Sequence, residues 1–105
     1  MIRAEFFSKA DHLNGFSVSG HSGYADAGED IVCAAVSSAV QLTANGITEV
    51  LGVHASVSAE GDTVSLNLES ASEGNAEVFL EALRLHLSLL AEDYPKNVKL
   101  IYTEV

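Results

Sequence analysis

The chain holds one cysteine, Cys33, and twelve residues before it a histidine, His21, set between Gly20 and Gly23. A thiol and an imidazole are the groups of a Cys–His pair. The imidazole takes the thiol proton, and the sulfur then attacks a carbonyl carbon. Asp30 stands just before an apolar run that begins at Ile31. Aspartate is a favoured helix N-cap, whose carboxylate accepts the N–H of the third helical residue. Counted from Ile31, that residue is Cys33, so the thiol is expected in the first turn of a helix. The N–H groups and positive dipole end there favour a thiolate and can bind a developing oxyanion. Asp26, Glu29 and Asp30 work against this, because nearby negative charge disfavours a thiolate. A protonated His21 would offset them. Asp30 could also orient the imidazole, but that duty competes with capping for one carboxylate, and capping ranks first. Ser37 lies four residues after Cys33, on the same helical face one turn deeper. Its hydroxyl either lies near the thiol or bonds back into its own helix.

These residues must be positioned by the elements around them. Ile2–Ser8 and Phe16–Ser19 read as two strands joined by a polar turn at Asp11–Asn14. The loop from Gly20 to Glu29 carries glycines at 20, 23 and 28. Loops of this length are often functional. From Ile31 to about Leu51, Ser38, Gln41, Asn45 and Glu49 form a polar stripe on an Ala/Val/Leu body, which predicts a helix. Gly46 is expected to bend or weaken it. Ala55–Ala59 and Thr63–Glu69 alternate apolar and polar around "EGD", a hairpin. A second helix opens at Gly74 and Asn75 and ends before Pro95, with Tyr94 as its terminating apolar contact. "NVKLIYTEV" closes the chain as a strand. The ββαββαβ order predicts an α+β two-layer sandwich: a mixed, mostly antiparallel sheet with both helices on one face. In the second helix Glu77, Glu81, Arg84, Ser88 and Glu92 fall in a stripe roughly 80° wide. His86 sits just off it. The remaining apolar surface exceeds what covering a sheet requires, so a second contact is expected, with the first helix or with another subunit.

With 105 residues the chain is read as one domain, 1–105, with one modest core. Its 48% hydrophobic and 19% charged residues belong to a folded protein. The N-terminal "MIRAEFFSKADHL" lacks a signal-peptide pattern, and no apolar run is expected to span a bilayer. One cysteine makes no internal disulfide, so a cytoplasmic location is expected. The net charge of −10, from 15 acidic and 5 basic residues, argues against nucleic acid as the ligand and suits a basic partner or an acidic surface.

The stretch "GHSGYADAGEDIVCAAVSS" resembles the signature of the ribosomal-processing cysteine protease family, Prp: G-H-[AS]-G-[YF]-A-[DE], a short Gly-containing spacer, then D-[IL]-V-C-A and a small-residue helix with a serine. The likeness extends over the whole chain in length, acidity and element order. It implies a small cytoplasmic homodimer without cofactor. Such an enzyme removes a short N-terminal extension from a large-subunit ribosomal protein, cutting after an aromatic pair. The resemblance makes His21 the base and Cys33 the nucleophile, with Asp30 and Ser37 in support. It makes the loop of Gly20, Gly23, Tyr24 and Gly28 the element that orders over substrate. An aromatic side chain there needs an apolar pocket, which the Ala/Val-rich helix face and Tyr24 could line.

Three other readings compete. In one, Cys33 is a core residue and the chain is a non-catalytic homodimeric ribosome-associated assembly or regulatory factor. In another, His12, at a turn, joins His21 and Cys33 on a metal, although no Cys-x-x-Cys or His-x-x-x-His spacing supports it. The third is redox or phosphatase chemistry. Cys33 has no resolving cysteine, and Ala39 stands where a C-x5-R loop needs arginine.

Overall fold

A computed structural model of the protein describes residues 1–26, 28–69 and 74–105. Strand β1 (Ile2–Lys9) turns into β2 (His12–Ser19), and a loop leads to helix α1 (Ile31–Asn45). The hairpin β3 (Ala55–Glu60) and β4 (Thr63–Leu68) follows, then helix α2 (Gly74–Asp93) and strand β5 (Val98–Glu104). The sheet order is β3-β4-β2-β1-β5, and only the β1–β5 pair is parallel. The α+β architecture with a mixed sheet is therefore as expected.

Period-two alternation sends Ile2, Ala4 and Phe6 of β1 and Phe16 and Val18 of β2 under the helices. The register aligns Phe6, Phe16 and Leu66 across three neighbouring strands, and all three are fully buried. Val32, Val36 and Val40 of α1, four residues apart, and Ala76, Leu80, Leu83 and Leu87 of α2 close the core from above. The opposite face of the sheet is mostly polar, with Phe7 and Ile101 among its residues. There the Ser65 hydroxyl donates to Ser17, and the Thr103 hydroxyl donates to Glu5.

The first hairpin turns earlier than expected. The turn is Ala10–Asp11, both at positive φ (52° and 66°), and His12 already pairs with Lys9. Two residues at positive φ match the twist of the flanking strands. The polar residues His12 and Asn14 thus belong to the strand rather than to the turn. Asn14 is the extra residue of a bulge, where the pairing jumps from Phe7–Gly15 to Ser8–Leu13. Gly15 sits inside the strand because a Cβ there would lie 2.4 Å from the Leu66 carbonyl oxygen. Outside the turn, His12 Nδ1 lies 3.0 Å from Glu77 Oε1, and the Leu13 N–H donates to the same carboxylate. Glu77 thereby ties α2 to the hairpin.

At Gly46 the helix changes its hydrogen bonding rather than ending. Gly46–Val50 forms one π turn, in which the Leu51 N–H reaches the Gly46 carbonyl at 2.9 Å. A Cβ at Gly46 would lie 2.4 Å from the Phe79 ring, so the glycine lets the two helices touch. The helical stretch Ile31–Val50 is 20 residues long and, by length and composition alone, apolar enough to cross a membrane. This corrects the expectation that no run reaches that length. Here its apolar side packs on the sheet through Val32, Val36, Val40 and Ile47. The α1–α2 contact absorbs Phe79 but leaves Val78, Leu85 and Leu89 of α2 exposed at 67%, 52% and 50%.

Candidate active site

The loop leaving β2 is held at its root. Gly20 has φ +89°, and a Cβ there would meet the Met1 carbonyl oxygen at 2.4 Å, so only glycine passes. The Met1 nitrogen donates to the His21 carbonyl. Gly23 and Gly28 also adopt positive φ, at 72° and 91°. Ala27, within the same loop and the recognised signature, lies outside the described residues.

The centre of the site is Ser22, which is 2% exposed. Its N–H donates to Cys33 Sγ at 3.2 Å. Its hydroxyl donates to Asp30 Oδ2 and accepts the Tyr24 N–H at 3.1 Å. Its carbonyl accepts Asn97 Nδ2 at 2.9 Å. Asn97 is itself fixed, donating its N–H to the Tyr94 carbonyl and accepting the Ile2 N–H. Every polar group of Ser22 is therefore engaged, and three of the four bonds hold it to Cys33, Asp30 and Asn97.

Asp30 is the N-cap of α1: its Oδ1 accepts the Cys33 N–H at 2.9 Å. The Ser22 hydroxyl, and after it the Cys33 N–H, lower the Asp30 pKa to about 2, against the opposing effect of burial. Among the described residues Asp30 makes no hydrogen bond to His21. The carboxylate caps the helix and anchors Ser22. A carboxylate whose folded pKa lies below its unfolded value stabilises the fold above the unfolded pKa and loses that contribution as pH falls through the folded one. For Asp30 the window runs from about pH 4 down to about pH 2. Asp30→Asn keeps a capping oxygen but not the charge. Denaturant midpoints compared at pH 5 and pH 2.5 should fall less in this variant than in the parent. An equal fall in both would overturn the assignment.

The remaining candidates divide. His21 is exposed, and among the described residues its ring makes no hydrogen bond to Cys33 or any other group. Cys33 is half-buried and lines a cavity of about 320 Å³. Val36, Val40 and Ala44 of α1 form one wall of this cavity, and Val57, Ala59 and Val64 of the second hairpin form the other. Ser37 lines it, one turn from Cys33. Tyr24 does not line it. Its ring packs edge-on against Tyr94 at 5.5 Å, and this corrects its expected place in the pocket wall. His12 is engaged by Glu77, and among the described residues no three His, Cys, Asp or Glu side chains come together as metal ligands. Ser22 and Asn97 were missed in the sequence. Ser22 occupies a position of the signature that alanine also fills, and Asn97 lies 75 residues away from it.

A thiol in the first turn of a helix, opening on a cleft wide enough for side chains, is an arrangement that cysteine peptidases share with other thiol enzymes. The sequence profile of the cysteine protease Prp family matches residues 1–99, and the chain belongs to this family and is a cysteine protease. Among solved structures, the essential ribosomal processing protease Prp of Staphylococcus aureus, with a covalently linked product peptide, superposes with a TM-score of 0.93 at 21% identity, over 98% of this chain and 100% of that one. The same protease with a substrate peptide gives 0.87 at 20% identity, with the same coverage. The protein SMU.848 of Streptococcus mutans gives 0.86 at 27% identity, over 100% of this chain and 96% of that one. No curated protein sequence matches the chain.

Proposed function

We propose that this protease removes a short N-terminal extension from a large-subunit ribosomal protein, cutting after an aromatic pair, with Cys33 as nucleophile and His21 as base. The observation that carries this reading is the opening of Cys33, at the start of α1, onto the apolar cavity. Valine and alanine walls suit large apolar side chains placed before the scissile bond. In the reaction, His21 takes the thiol proton and the sulfur bonds to the carbonyl carbon. The carbonyl electrons move onto its oxygen. Asp30 holds the Cys33 N–H, and its carbonyl accepts the Ala34 N–H. Among the described residues the N–H groups of Ile31 and Val32 have no such partner, and they are the donors placed to meet that oxyanion. Collapse expels the amine, which takes the proton from His21. Water, deprotonated by the same ring, then releases the acyl group.

For this to occur, the His21 ring turns onto the sulfur when the loop of Gly20, Gly23, Tyr24 and Gly28 orders over substrate. Catalytic hydrogen bonds commonly tighten only in the complex. Ser37 supports the site from the cavity wall. A basic ribosomal protein is drawn to a chain of net charge −10. The ribosomal processing role of the Staphylococcus aureus protease supports the substrate class. We extend the proposal to a single cytoplasmic domain that works without cofactor, nucleic acid or membrane. It forms a homodimer, with the exposed Val78, Leu85 and Leu89 of α2 and the exposed Leu42 of α1 as apolar surface for the second copy.

The test is mass spectrometry of the extended ribosomal protein after incubation with the enzyme. One cut after the aromatic pair is expected. An intact substrate, alongside Cys33-dependent hydrolysis of another peptide, would remove this substrate and leave the enzyme class standing.

A further inference from the structure

We infer that Asp62 is a specificity residue that selects a cationic side chain close to the scissile bond of the peptide. The inference rests on the proposed reaction at Cys33 and names a feature of its substrate. Asp62 is the one charged side chain among the described residues lining the cavity onto which Cys33 opens. Asp62 lies in the β3–β4 turn, just beyond the last β2–β4 pair, Val18–Val64, and lines the same cavity as Gly20 and Cys33. Gly20, beyond the other end of that pair, leads directly into His21 and Ser22, and the Ser22 N–H donates to the sulfur. Asp62 therefore stands at the end of the cavity where β2 runs into the loop that carries His21.

Its carboxylate is available to a ligand. Its described hydrogen bond is a long one, 3.3 Å, from the hydroxyl of adjacent Thr63 to Oδ1. The two ion pairs among the described residues, His12–Glu77 and Arg84–Glu81, do not involve it. Turn formation alone explains a polar residue here, since Gly61, at φ +60°, and Asp62 close the β3–β4 hairpin. Asparagine would serve that turn equally well. Turn formation does not account for a negative charge over an otherwise uncharged cleft. A Lys or Arg within about two or three residues of the cut, its alkyl stem on Val64 and Ala59, would bring its charge to this carboxylate.

The experiment is a set of peptides built on one cleavable parent. Lysine or its uncharged counterpart norleucine is placed in turn at each of the three residues on either side of the cut. The readout is the ratio of kcat/KM for lysine over norleucine, taken within each enzyme so that general effects of a variant cancel. At one position the parent enzyme should show a ratio of about 3 to 5, the size of a partly exposed ion pair. In Asp62→Asn this ratio should fall to near 1, and Asp62→Lys should invert it. Added salt should lower it in the parent enzyme. A preference for lysine that persists in Asp62→Asn, or its absence at every position, overturns the inference. If the parent enzyme cleaves no peptide of the set, the proposed reaction fails first and the inference falls with it.

Discussion

Replacement of Cys33 by alanine should lower kcat/KM on the extended ribosomal protein by about 10⁴-fold or more, the usual consequence of deleting a nucleophile that acts with its base as a unit. The fold should survive. Alanine is a better helix former than cysteine, and Cys33 is half-buried at the packing edge rather than inside it. What is lost structurally is the Ser22 N–H···Sγ contact, one weak hydrogen bond. Because the buried Ser22 N–H is left without that partner, the variant should lose about 1–3 kcal/mol of stability and remain folded. His21→Ala should cost about 10² to 10⁴, because removal of a general base leaves the sulfur in place. The two variants combined should cost little more than Cys33→Ala alone, since residues acting together are not additive. Retention of a tenth of the parent activity by Cys33→Ala would remove Cys33 from the reaction.

The largest loss of stability is expected from Phe16→Ala. Phe16 lies on β2, the central strand, and is flanked on either side by the fully buried Phe6 and Leu66. Removing a ring from that row takes away its transfer free energy and leaves a void that neither neighbouring strand can close. A cost of about 3–5 kcal/mol follows. That is a large share of the roughly 5–15 kcal/mol that holds small proteins folded. The melting temperature should drop by more than about 12 °C. Because the three side chains touch in one row, Phe16→Ala and Leu66→Ala together should cost less than the sum of the two measured alone. Calorimetry of the four proteins of this cycle is the check. Additive losses would mean that the row does not pack as one unit.

The elements were legible where one local rule dominated. β-forming residues marked β1, alternation marked β3 and β4, and Asp30 before an apolar run marked the start of α1 and placed Cys33 at its third residue. Pro95 marked the end of α2. The signature around His21 and Cys33 was legible as a string of residue types at set spacings. Where two rules competed, the sequence was ambiguous. Polar His12 and Asn14 beside Gly15 look like a turn. They are a strand because two residues at positive φ already reverse the chain, and because Gly15 is needed where Leu66 passes close. Gly46 reads as a place where the helix bends or weakens; the helix continues there through a π turn, and the glycine is needed because Phe79 occupies the space a side chain would take.

The sequence by itself determined the class of most elements, the thiol's seat in a first helical turn and the membership in a protease family, since all three depend on residues close together along the chain. Only the tertiary structure decided what surrounds that thiol. Ser22 is fixed by Asn97 from the far end of the chain, the cavity is walled by a hairpin that follows α1, and Tyr24 turns to Tyr94 instead. These contacts join residues tens of positions apart. They exist because β1 pairs in parallel with β5 and β4 lies beside β2, a pairing that brings both ends of the chain and the second hairpin to the start of one helix.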